Sequence, residues 1–107
     1  MLRAHSEARP VIMAPGVVRR TLCSGDRMTS VEITFEAGAS IASHTHEHEQ
    51  TGYLARGRMR FDLGDETREL AAGDAWLVPS LAPHSVTAIE PSVVVDVFSP
   101  VRTEYLE

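Results

Sequence analysis

Lysine is missing from this chain, in which all ten basic residues are arginine. With no lysine side chain there is no amine for Schiff-base chemistry and no ammonium for a nucleotide-binding P-loop. Cysteine is almost missing too: Cys23 stands alone, so no internal disulfide can form. Neither a histidine nor a glycine-rich elbow lies near Cys23 in sequence, and a buried, inert thiol is expected there. No apolar run is long enough for an export signal or a membrane span, which leads us to expect a cytoplasmic protein without membrane contacts. Positive charge is in deficit as well, with a net charge of −5 and a pI near 5.5. Nucleic-acid binding rests on a basic face, so DNA and RNA are not expected partners.

A chain of 107 residues, 43% of them hydrophobic and 23% charged, has the composition of one soluble globular domain. The expected organisation is a single domain over 1–107, with residues 1–15 as an N-terminal arm. Helical periodicity is absent; the apolar period is two. Val31, Ile33 and Phe35 alternate with Glu32 and Thr34, and Met59, Phe61 and Leu63 alternate with Arg58, Arg60 and Asp62. Gly64 and Asp65 then suit a tight hairpin into a strand over 66–70. Further short strands are expected over 52–55, 75–78, 85–89 and 92–98, each bounded by Gly or Pro. Many short strands punctuated by turns predict an all-β fold, a sandwich or closed barrel.

The chemistry concentrates in His44-Thr45-His46-Glu47-His48-Glu49-Gln50. Residues two apart on a strand share a face, so His44 and His46 can aim two imidazoles at one point, and Gln50 has the same parity. A further ligand has to come from elsewhere; His84, between Pro83 and an apolar strand, is the natural candidate, and His5 lies near a terminus. Gln50 can serve as a ligand or as a hydrogen-bond partner. Glu47, His48 and Glu49 read as a solvated rim or as supports of the ligands. In the run Val93 to Phe98 one acid, Asp96, interrupts apolar residues. It either enters the barrel cavity, where desolvation raises its pKa into a useful acid/base range, or pairs with backbone or with Arg56 or Arg102. Trp76 and Tyr53 are expected in the core rather than in the site.

The order and spacing of Gly38, His44, His46, Gln50 and Gly57 resemble the first motif of the cupin superfamily, with glutamine where glutamate is usual. Gly73, Pro79, Leu81, His84 and Ala88 resemble the second, with Leu81 and Ala88 where the family carries glycine and asparagine. Motif 1 thus spans 38–57 and motif 2 spans 73–88, and the resemblance implies a jelly-roll barrel, the double-stranded β-helix. Together with Asp96-Val97-Phe98-Ser99-Pro100-Val101-Arg102, the histidine segment is similar to the small pectin-degradation cupins, which convert unsaturated uronates into their linear keto forms. That resemblance implies His44, His46, Gln50 and His84 as ligands of one divalent transition metal (Zn, Ni, Fe or Mn), Asp96 for proton transfer, Phe98 lining the pocket and Arg102 meeting the substrate carboxylate. Physically, Arg102 has the planar fork for such a carboxylate, or forms a surface salt bridge.

Neutral ligands leave the charge of a divalent ion uncompensated, which favours an anionic organic substrate and Lewis-acid chemistry. A metal-dependent dioxygenase and a ligand-binding module without turnover are the competing expectations. A chain this small with strand edges to cap is expected to form a homodimer.

Overall fold

The computed structural model describes residues 1–106. It contains ten strands: β1 Pro10–Ala14, β2 Val17–Ser24, β3 Thr29–Phe35, β4 Ser40–His44, β5 Glu49–Arg56, β6 Arg58–Leu63, β7 Glu66–Ala71, β8 Ala75–Val78, β9 His84–Ala88 and β10 Ser92–Ser99. Two three-residue 3-10 turns, His5–Glu7 and Thr103–Tyr105, flank them. The described residues contain no helix long and apolar enough to cross a membrane.

Strands order β1-β2-β3-β10-β5-β8 in a six-stranded sheet and β4-β9-β6-β7 in a four-stranded one, and every pairing is antiparallel. The two sheets form the expected jelly roll. Period-two burial decides which residues face inward. In β3, Thr29, Val31, Ile33 and Phe35 are buried; in β5, Gln50, Gly52 and Leu54; in β10, Ser92, Val94, Asp96 and Phe98. Between the sheets Val17, Val31, Leu54, Met59, Val78, Val94 and Phe98 are almost fully shielded from water. Each such aliphatic or aromatic side chain contributes about 1.5–3 kcal/mol by leaving water.

Turn chemistry sets the register where it is tightest. Leu63 pairs Glu66, so the hairpin closes on Gly64 and Asp65 as expected, with Gly64 at φ +56°. Several expectations need correcting. Part of the presumed N-terminal arm is strand β1, hydrogen-bonded to β2, and Pro10 begins that edge strand, where its missing N–H costs nothing. His5 is tied to Glu32 at 2.7 Å. Tyr53 is not in the core: its parity is opposite to Gln50 and Leu54, and it is 51% exposed on the outer face of β5. Cys23 is half-buried rather than buried. Trp76 is a core residue, as expected.

Candidate metal centre

His44 and His84 face each other as partners in the β4–β9 ladder, with ring centroids 4.2 Å apart. After His44 the chain leaves the four-stranded sheet, crosses through 45–48 and enters β5 of the six-stranded sheet. That crossing carries His46 to the same point, 4.9 Å from the His84 ring and 5.6 Å from the His44 ring. One nitrogen of each of the three imidazoles lies within 4.8 Å of the others, so the three could hold a metal ion.

Backbone carbonyls fix how these rings present themselves. Nδ1 of His44 lies 2.9 Å from the Ala42 carbonyl, Nδ1 of His46 3.0 Å from that of His48, and Nδ1 of His84 2.9 Å from that of Ala82. A carbonyl only accepts, so in neutral His44 and His84 Nδ1 carries the hydrogen and Nε2 keeps its lone pair. Burial, then the Arg102 charge, holds His46 below the ordinary histidine range, and burial pushes His84 down to about 4. The three rings together are a set of nitrogen donors suited to a divalent ion.

Gln50 completes the arrangement from β5. Its Nε2 donates to Oδ1 of Asp96 at 2.9 Å, which turns its Oε1 toward His46 Nε2 at 3.0 Å. His46 is therefore held between two carbonyl oxygens, of His48 and Gln50, while a neutral ring has one N–H to give. A cation shared by His46 Nε2 and Gln50 Oε1 satisfies both lone pairs, so the chemistry of the donors fits a metal at this position.

Behind Gln50, Asp96 is buried at 4% exposure and accepts a second hydrogen bond from Trp76 Nε1 at 2.8 Å. Desolvation pushes its carboxyl up to about 6 against the pull of Gln50, Trp76 and Arg102. Of the two readings of Asp96, the cavity placement is the one observed. Arg102 follows β10, buried, its guanidinium 4.7 Å over the Phe98 ring and 4.1 Å over the Tyr105 ring. Its nearest carboxylate is Glu104, with Nε to Oε2 at 3.7 Å, too long for a hydrogen bond, and buried Nε has no hydrogen-bond partner. Arg102 is thus not the exposed surface ion pair that the sequence left open.

His44, Gln50, His84, Asp96, Phe98 and Arg102 line one cavity between the sheets. Glu47 and Glu49 are exposed, as a rim should be, but His48 is buried against Phe98 and supplies the carbonyl that orients His46. The Trp76 contact with Asp96 and the Tyr105 ring over Arg102 are site features that the sequence reading left out. The register of strands distant in sequence brings Trp76 there, and the 3-10 turn after Arg102 brings Tyr105.

Comparison with known proteins agrees with this architecture. Residues 31–98 match the model of the cupin domain. The pectin degradation protein KdgF of Dickeya dadantii is 32% identical over 96 residues, covering 88% of this chain and 87% of that protein. The structure of KdgF from Halomonas sp. superposes with a TM-score of 0.91 at 34% identity, covering 96% of this chain and 97% of the other. An RmlC-like cupin from Shewanella frigidimarina superposes at 0.92 with 25% identity, covering 97% and 94%. With a domain match over most of its length, a jelly roll of the same outline and a histidine cluster at the sheet crossing, the chain belongs to the cupin family and resembles its pectin-degradation members.

Proposed function

We propose that this protein is a metal-dependent enzyme that converts an unsaturated uronate, of the kind released by pectin or alginate lyases, into its linear keto form. The observation that carries this reading is the joint placement of Asp96 and Arg102 beside the histidine cluster in one cavity. A buried acid and a buried guanidinium, paired only loosely with the exposed Glu104 at 3.7 Å, suit proton transfer on a sugar acid, whereas oxygen activation needs neither. The relatives called pectin degradation protein KdgF support the substrate class.

His44, His46, His84 and Gln50 would hold the metal. When bound, the ion supplies Lewis acidity, polarising an oxygen of the substrate and helping to hold an anion. Arg102, prepaid in position by the Phe98 and Tyr105 rings, binds the carboxylate of the uronate through its fork. The reaction is an isomerisation, so atoms only move. The anomeric hydroxyl gives up a proton, the bond from the anomeric carbon to the ring oxygen breaks, and the enol becomes a ketone as the alkene carbon takes a proton. Asp96 handles that proton; burial brings its carboxyl near pH 6, where both gain and loss are accessible at physiological pH. Phe98 walls the cavity and keeps water off the enol.

The test is elemental analysis of the purified protein and its His84→Ala variant, followed by loss of enol absorbance from unsaturated galacturonate. Stoichiometric metal that disappears in the variant, with accelerated decay in the parent, is expected. Metal without acceleration overturns the uronate reading in favour of an oxygenase or a binding role; no metal overturns the site.

A further inference from the structure

Asp96, Gly52 and Trp76 stand side by side on three adjacent strands. Asp96 of β10 pairs Gly52 of β5, and Gly52 pairs Trp76 of β8. All three are inward-facing, so the two flanking side chains have to meet over whatever residue lies between. Glycine leaves that space empty. A Cβ at Gly52 would sit well inside contact distance of both Trp76 Nε1 and Asp96 Oδ1. The indole instead crosses the bare backbone and donates to Asp96 Oδ1 at 2.8 Å.

Gln50 Nε2 donates to the same oxygen at 2.9 Å. Among the described residues Oδ1 thus receives both donors and Oδ2 none. Two donors arriving from different strands fix the carboxyl in rotation as well as in place. Trp76 is itself held by packing on Phe61, the ring centroids being 5.0 Å apart, so it is a rigid arm rather than a passive neighbour. We propose that Trp76, reaching across Gly52, is a positioning residue that occupies Oδ1 of Asp96 and leaves Oδ2 as the oxygen presented to the substrate. The inference rests on the uronate reading above and deepens it: Gly52 is the gap that admits the arm, and Gln50 has a second task besides its place among the ligands.

The test separates positioning from packing. Trp76→Phe keeps an aromatic ring against Phe61 and removes the N–H together with the pyrrole half of the indole, a packing loss that the Asp96→Ala background below separates from the lost hydrogen bond. With metal content at the parental level, kcat on unsaturated galacturonate should fall by about 10- to 100-fold, because a loosened proton carrier loses alignment, while KM stays within about twofold, because Arg102 and the ligands are untouched. In an Asp96→Ala background, where residual rate no longer depends on that carboxyl, Trp76→Phe should cost nothing further. The chain has one tryptophan, so its indole N–H gives a single cross-peak in a ¹⁵N spectrum. That peak should be protected from solvent exchange in the parent and should shift and lose protection in Asp96→Ala, a readout available even if Trp76→Phe does not fold. Parental kcat in Trp76→Phe, or an indole peak indifferent to Asp96→Ala, overturns the positioning role alone. A parent that turns over no unsaturated uronate overturns the functional reading and this role together.

Discussion

Replacing Asp96 by asparagine should stabilise the metal-free protein at neutral pH and leave it almost unchanged in acid. Asparagine keeps the shape of the side chain and an Oδ1 for Trp76 and Gln50 to bond, and it removes the charge. The wild-type carboxyl, fully enclosed, titrates near 6 in the fold against an ordinary 3.8, the Arg102, Gln50 and Trp76 attractions included. A carboxyl raised on folding contributes its full stability below the unfolded value, where both states are protonated. Between about pH 4 and pH 6 the unfolded chain releases its proton first, so stability falls; above pH 6 both states are ionised and the loss is complete. Each pH unit between the two values is about 1.4 kcal/mol, so burying the ionised acid costs about 3 kcal/mol at pH 7 to 8 and about 0.5 kcal/mol at pH 4. For a domain of this size the difference is on the order of 15 °C in Tm. Urea unfolding of chelator-treated wild type and Asp96→Asn, followed by far-ultraviolet circular dichroism at a series of pH values, measures it. The variant's advantage should grow from pH 4 to pH 6 and then level off. Parallel stability curves over that range would refute the claim that Asp96 is buried at an energetic cost.

Arg102→Ala should raise KM for an unsaturated uronate by about 10- to 100-fold with metal content unchanged, the loss of a charge-assisted carboxylate contact of about 1.5–3 kcal/mol, as steady-state kinetics would read. Gln50→Glu should retain metal by elemental analysis but weaken anion binding, since it adds a negative charge to the site and sets it against Asp96, 2.9 Å from the present amide nitrogen. Leu81 has φ +67° although it is not glycine, and it is 65% exposed. Leu81→Gly should therefore raise the unfolding free energy by up to about 1 kcal/mol in chemical denaturation, strain relief outweighing the extra freedom of the unfolded chain. Phe98→Ala should cost about 3–5 kcal/mol in the same experiment, as a large buried ring is lost.

Strands with a clean alternation, such as Val31 to Phe35 and Met59 to Leu63, were legible because one face meets the core and the other meets water. β2 was not, because Arg19 and Thr21 occupy inward positions, and a pattern of apolar against polar fails where an arginine is buried over the Tyr105 ring at 4.3 Å. β4 was hidden for the opposite reason: Ser40 to His44 is largely exposed, with Ile41 its sole large apolar side chain, so it has no stripe to read. The parity rule does not account for His44 and His46, since β4 ends at His44 and the crossing segment carries His46, but it holds within β5 and would have put Tyr53 outside; the bulk of the ring argued otherwise. The histidines were readable because their spacing is local and their motif is shared with a family. Trp76 was not, since it reaches Asp96 through strand pairings that no sequence window contains; Tyr105 lies three residues after Arg102, but nothing in the sequence marks the 3-10 turn that folds its ring against the guanidinium. Leu81 lies between these cases: its place where the family carries glycine foreshadowed its left-handed backbone, though not its cost.

His44 and His84 belong to the smaller sheet, whereas Gln50, Asp96 and Phe98 belong to the larger one. The site is therefore a seam. Any ion gripped from both sides, or any uronate reaching from the histidines to Arg102, acts as a rivet through the sandwich, and its binding energy resists the parting of the two layers rather than the motion of a loop. Occupancy of such a seam adds its binding free energy to the stability of the whole sandwich.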